Sequence, residues 1–158
     1  MIKIFVLLLF FPYLAISMEK SINKSFIDSF FQGSENQKIS FKHLTQPNFE
    51  KTLVFVHGTG ESSGRYIELG HHFHKLGFNV YLYDQRGFGY SGRFTRDQTK
   101  VHTDSFSHLV KDLDILVSNI RKKKNNQKIF LIGHSLGGLI TTRYLELFPE
   151  KISKAAVT

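Results

Sequence analysis

The 158-residue chain contains no cysteine. That absence excludes disulfides, zinc–thiolate centres and a cysteine nucleophile together. Tryptophan is also missing and proline occurs only 3 times, while the apolar and charged fractions, 41% and 22%, are those of an ordinary globular chain. Acidic residues are the scarcer charge: 13 against 21 Lys and Arg, a formal balance of +8. A basic surface favours anionic partners. The densest basic run, Arg121-Lys122-Lys123-Lys124, falls at the expected C-terminus of a helix, where cations meet the negative end of the dipole. No nucleic-acid motif accompanies the charge, so no nucleic-acid partner is expected.

Long hydrophobic runs are scarce as well. The one conspicuous run, Ile4 to Ile16, is short of the roughly 20 residues that span a bilayer. It follows a positive start, Met1-Ile2-Lys3, and leads to small residues at Ala15-Ile16-Ser17. This is the pattern of a secretory signal, so residues 1–17 are expected to be removed on export, leaving 18–158 as the folded part. Retention would give a membrane-associated protein, and translation from Met18 a cytoplasmic one. Asn23-Lys24-Ser25 is a glycosylation tripeptide that matters only in a eukaryotic secretory pathway.

Past the leader there is no low-complexity segment and no repeat, and the length suffices for one domain with a core. Phe26 to Phe31 and Lys38 to Leu44 read as strands about a turn-prone Gly33-Ser34-Glu35-Asn36. Leu53 to Val56, Val80 to Tyr83 and Ile129 to Ile132 are continuous apolar runs, as strands buried on both faces require. Between them lie helical periodicities. Tyr66, Leu69, Phe73 and Leu76 mark one face of a helix that ends at Gly77, and Phe106, Leu109, Val110, Leu113, Leu116, Val117 and Ile120 trace a second. A third helix is expected from Leu136 to Phe148, stopped by Pro149, with a strand beginning at Ala155. Strand alternating with helix implies an α/β fold with a doubly wound, mostly parallel sheet, whose ligands bind beyond the carboxyl ends of the strands. The His57 loop, the glycine-rich loop Arg86 to Gly92 and Ser135 all fall there.

Gly133-His134-Ser135-Leu136-Gly137 is a G-x-S-x-G pentapeptide set between a strand and a helix. A serine on so sharp a turn takes a strained backbone, and side chains at Gly133 and Gly137 would collide with neighbouring elements. Gly138 is expected to let the helix lie close on the strand. The turn lifts the Ser135 hydroxyl above the sheet edge, with the positive end of a helix behind it. The pentapeptide alone would arise by chance in roughly one chain in ten to twenty of this length, so its setting carries the weight. The upstream loop His57-Gly58-Thr59-Gly60 ends another strand. On the template of such sites the backbone N–H groups of Thr59 and Leu136 are the expected oxyanion donors.

Other candidates are weaker. His71, His72 and His74 flank Phe73 and are expected mostly in solvent rather than on a metal. His57 reads as structural, and His134 leaves the turn in another direction than the nucleophile. Arg86-Gly87-Phe88-Gly89 lacks the Lys-Ser/Thr of a phosphate loop. No metal and no cofactor are called for.

These residues carry a family resemblance. His57 to Glu61 with Gly64-Arg65-Tyr66, Asp84-Gln85-Arg86-Gly87-Phe88-Gly89-Tyr90-Ser91-Gly92-Arg93, and Gly133 to Gly138 resemble the lysophospholipase and monoacylglycerol lipase group of α/β-hydrolases. Ser91-Gly92-Arg93 through His102 to Phe106 and Asp112-Leu113 are similar to bacterial lysophospholipases. The resemblance runs from about Phe26 to Thr158. It implies a serine hydrolase that cleaves the ester of a single-chain lipid through an acyl-enzyme on Ser135, with a membrane surface as a further partner. It implies nothing about oligomeric state.

In that fold the triad runs Ser, then Asp or Glu, then His. Only 23 residues follow Ser135, with no Asp and no His among them, and Glu146 and Glu150 as the only acids. The lid that shapes an acyl pocket is not found either. The expectation is therefore the N-terminal portion of a hydrolase, truncated after the nucleophile helix, with its own 158 residues inactive. Three other readings stand beside it: an inactive product of a truncated or split gene, an aminopeptidase of the same family, and a non-catalytic module binding lipid or a partner through an open edge.

Overall fold

The computed structural model describes residues 25–97, 100–124 and 126–158. The leader, its cleavage site, the start at Met18 and Asn23 of the glycosylation tripeptide lie outside them.

Six strands form one sheet: β1 (Ile27–Gln32), β2 (Lys38–Leu44), β3 (Lys51–Val56), β4 (Phe78–Tyr83), β5 (Lys128–Gly133) and β6 (Lys154–Val157). Their spatial order is β1-β2-β4-β3-β5-β6. The first two are antiparallel, with Phe31 opposite Ile39 and Phe41 opposite Tyr83, because a short turn joins β1 to β2. From β4 onward all pairs are parallel, Leu53 aligning with Val80 and with Phe130. Parallel neighbours need a crossover, and helices supply it: α1 (Ile67–Lys75), α2 (Phe106–Lys123) and α3 (Leu136–Leu147).

Alternation along the strands builds two cores. Val54, Val56, Tyr81, Tyr83, Ile129 and Leu131 point to the face covered by α2 and α3, where they meet Leu113, Val117, Ile140 and Tyr144. Leu53, Phe55, Val80 and Leu82 point to the other face, under Tyr66, Ile67 and Phe73 of the α1 segment. The expected elements are all present. Ser105 opens α2 as its N-cap, its hydroxyl accepting from Ser107 N–H.

The expectation for α1 needs correcting. A 3-10 turn, Ser63–Tyr66, precedes the helix proper, and Leu69 and Leu76 are 42% and 56% exposed. The buried side is instead centred on Gly70, where an added Cβ would lie 2.6 Å from the Phe26 ring and 3.3 Å from Val80 Cγ1. That close approach rotates the helix so that His74 faces inward. It is 2% exposed rather than solvated, its ring packing against Phe49 and its Nδ1 lying 2.8 Å from the Phe78 carbonyl.

Candidate active site

Ser135 sits between the end of β5 and the start of α3 with φ 51° and ψ −118°, a conformation that an L residue adopts only under constraint. The constraint is visible in the neighbouring glycines. A Cβ at Gly137 would lie 1.9 Å from the Val56 carbonyl oxygen, and one at Gly133 would lie 2.5 Å from the Gly137 oxygen and the Thr141 hydroxyl. Both positions must therefore be glycine for α3 to start where it does. Gly138 differs from expectation. Its Cβ would meet the Gly133 and Thr158 oxygens at 3.5 Å, an ordinary contact, so the close approach of helix to strand falls to Gly137.

The backbone donors of the turn are nearly all engaged. Ser135 N–H donates to Thr158 O (2.8 Å), Gly137 N–H to His134 O (2.8 Å), and Gly138 and Leu139 N–H to Ser135 O. Leu136 N–H has no acceptor among the described residues, and it heads the helix. Thr59 N–H is likewise unengaged among them. The two loops face each other: a Cβ built at Gly58 would be 3.2 Å from both Ser135 Cβ and His134 Cδ2. The structure thus brings Thr59, Ser135 and Leu136 to one edge of the sheet.

The His57 loop is pinned from beneath. His57 is buried, its Nδ1–H donating to Gly58 O (2.7 Å) and its Nε2 accepting from Gln85 N–H (3.0 Å). Burial lowers its pKa below the usual imidazole value, which keeps it neutral in this arrangement. Both ring nitrogens are committed, so His57 is structural, as expected. Glu61, to which the motif alone assigns no role, accepts from Gly58 N–H (2.8 Å) and the Tyr66 hydroxyl (2.7 Å) and pairs with Arg65 (3.1 Å). The Tyr66 hydrogen bond lowers the Glu61 pKa, while burial and the same carboxylate push the Tyr66 phenol up to about 12.

The Arg86 to Gly92 loop turns out to be a framework rather than a phosphate cradle. Buried Asp84 accepts from Ser63 N–H (2.6 Å) and Tyr90 N–H (2.9 Å), tying the two loops together. Arg86, fully buried, places Nε and Nη2 on the two oxygens of buried Asp112 at 2.7 and 2.8 Å, and Nη2 also reaches Ser34 O. A cleft of about 440 Å³ opens between Gly60–Arg65 and Gly87–Arg93.

Among the described residues the Ser135 hydroxyl has no hydrogen-bond partner, and all eight histidines of the chain lie in those residues. His134 is exposed beside Ser135 with Nδ1 on Thr158 Oγ1 (2.9 Å). No group of three metal-ligating side chains is present among the described residues, and His71, His72 and His74 do not converge.

Known proteins supply the remaining context. The family model for serine aminopeptidase, S33, matches residues 47–158. A probable lysophospholipase L2 of Haemophilus influenzae is 31% identical over 137 residues, covering 85% of this chain and 43% of that protein. Mouse monoglyceride lipase is 38% identical over 109 residues, covering 68% and 34%. Among solved structures, a thermostable carboxyl esterase from Bacillus coagulans superposes with a TM-score of 0.74 at 21% identity, covering 85% of this chain and 44% of the esterase. The chain thus spans less than half the length of these relatives.

Proposed function

This chain belongs to the serine aminopeptidase S33 family of α/β-hydrolases, in its lysophospholipase and monoglyceride lipase group, and on that footing we propose that the whole hydrolase cleaves the carboxylic ester of single-chain lipids through Ser135. The observation that carries the proposal is the strained Ser135 at the head of α3, with two unengaged N–H groups, those of Leu136 and Thr59, at the same edge.

In the proposed reaction the Ser135 oxygen bonds to the ester carbonyl carbon while its proton passes to a histidine base. The carbonyl oxygen becomes an anion held by the Leu136 and Thr59 N–H groups. Collapse expels the alcohol, which takes up the histidine's proton, and leaves an acyl-enzyme. Water then displaces the acyl group as the carboxylic acid by the same route. Each oxyanion donor is worth about 3 kcal/mol of transition-state stabilisation.

No histidine of these 158 residues reaches Ser135, so the chain by itself is expected to turn over esters at background rate. The test has two parts. The hydrolase at the length of its relatives is offered lysophospholipid, monoacylglycerol and peptide substrates, with Ser135→Ala as reference; turnover of peptides alone defeats the lipid reading. The 158-residue chain is assayed on a short activated ester; turnover that disappears in Ser135→Ala would mean that one of its own histidines completes the site.

A further inference from the structure

The end of the sheet opposite Ser135, where the parallel strands begin, is strongly basic. β3, β5 and β6 each start on a lysine, namely Lys51, Lys128 and Lys154. Lys51 and Lys128 are direct register partners. α2 ends there on Arg121-Lys122-Lys123, and the following Lys124 reaches the Pro47 and Phe49 carbonyls just ahead of β3. α1 ends there on Lys75. The carboxylates at this end are few: Glu50 and Glu150 are exposed, Glu146 is engaged by Arg143, and Asp28, beside Ile27, is engaged by Lys42.

The helix dipole accounts for cations at the end of α2. It does not account for lysines at three strand starts, because sheets carry little net dipole. Like charges on neighbouring strands repel, so Lys51 beside Lys128 works against folding. Such an arrangement suits a ligand of opposite sign. At the same end stand aliphatic side chains left in water: Ile27, the first residue of β1, is 59% exposed, Leu76 at the close of α1 56%, and Leu147 at the end of α3 47%.

We propose that this basic base is a docking surface for an anionic phospholipid membrane, with the lysines over headgroup phosphates and Ile27, Leu76 and Leu147 entering the headgroup layer. Cations and exposed aliphatic groups at one end of the molecule match an interface that is charged outside and apolar just beneath. A nucleic acid would be met instead by exposed aromatic platforms or by a helix laid along a groove. Among the described residues no large exposed aromatic side chain lies on this face, and the three helices end on it rather than run along it.

The experiment is sedimentation of the full chain with phosphatidylcholine vesicles, plain or doped with phosphatidylglycerol. The native protein is expected to bind the doped vesicles more tightly and to lose that preference in high salt. Lys122→Glu/Lys128→Glu/Lys154→Glu is expected to weaken binding by about a hundredfold or more, from roughly fivefold per cation near a charged surface. Leu76→Ser/Leu147→Ser is expected to weaken it at every salt concentration. Residues 1–24 are common to all the variants, so their contribution cancels. Circular dichroism checks that each variant is folded, and the salt dependence of the native protein stands without any variant. A triple variant that binds doped vesicles like the native chain overturns the proposal, as does a native preference that survives high salt. Duplex DNA displacing the protein from the vesicles would overturn it in favour of nucleic acid.

Discussion

The two faces of the sheet are packed to different degrees. On the α2–α3 face, two helices seal the strands, and Leu113, Val117, Ile129, Ile140 and Tyr144 are all completely buried. On the other face, among the described residues, only the α1 segment covers the strands, and Phe73, Phe78, Phe130 and Ile132 are only half-buried. An apolar pocket of about 270 Å³ lies between them and the edge strand β6, whose four residues are exposed. The polar supports of the site divide in the same way. The Arg86–Asp112 pair is sunk into the closed side, between the loop after β4, α2 and the turn at Ser34. A closed face makes each of its residues costly to change, whereas an open one forgives.

Five substitutions would break or sharpen that contrast, each read by urea denaturation of the 158-residue chain. Gly137→Ala, which forces a Cβ against the Val56 carbonyl where α3 crosses onto the sheet, is expected to cost more than about 4 kcal/mol or to prevent folding. Asp112→Ala leaves the Arg86 guanidinium buried without its counter-ion and is expected to cost about 3–5 kcal/mol. A matched pair then tests the faces directly. Leu113→Ala on the closed side is expected to cost about 3 kcal/mol, and Phe130→Ala on the open side about 1–2 kcal/mol despite the larger side chain, because much of that ring is already wet. Equal losses would mean that the open face is covered in solution. Gly138→Ala is expected to change stability by less than about 1 kcal/mol, and toward greater stability, since a helical alanine fits there.

Much of this was legible in the sequence, and the reason is that it rests on local signals. Apolar runs ending in glycine-bearing loops located β3, β4 and β5, and the glycine spacing about Ser135 located the turn. What escaped depended on distant partners or on exact orientation. Arg86 and Asp112 are 26 residues apart, and no period or motif links them. Asp84 and Glu61 work by accepting backbone N–H groups, a role that any exposed acid could equally have lacked. On α1, hydrophobicity points to Leu69 and Leu76 as the buried face, whereas the contact is set by the smallness of Gly70. Gly138 shows the converse error: a glycine beside two obligatory ones need not be obligatory itself.

Ser135 and the basic base stand at opposite ends of strands six residues long, a separation of about 20 Å. A molecule lying base-down on a bilayer would therefore hold the proposed site at Ser135 up in the water, out of reach of any lipid that stays in the leaflet. A substrate would have to detach first. Each methylene withdrawn from the hydrocarbon costs about 0.8 kcal/mol, so one acyl chain exchanges readily while a second makes departure rare. Orientation alone would then sort lipids by their number of tails, before any pocket has measured them.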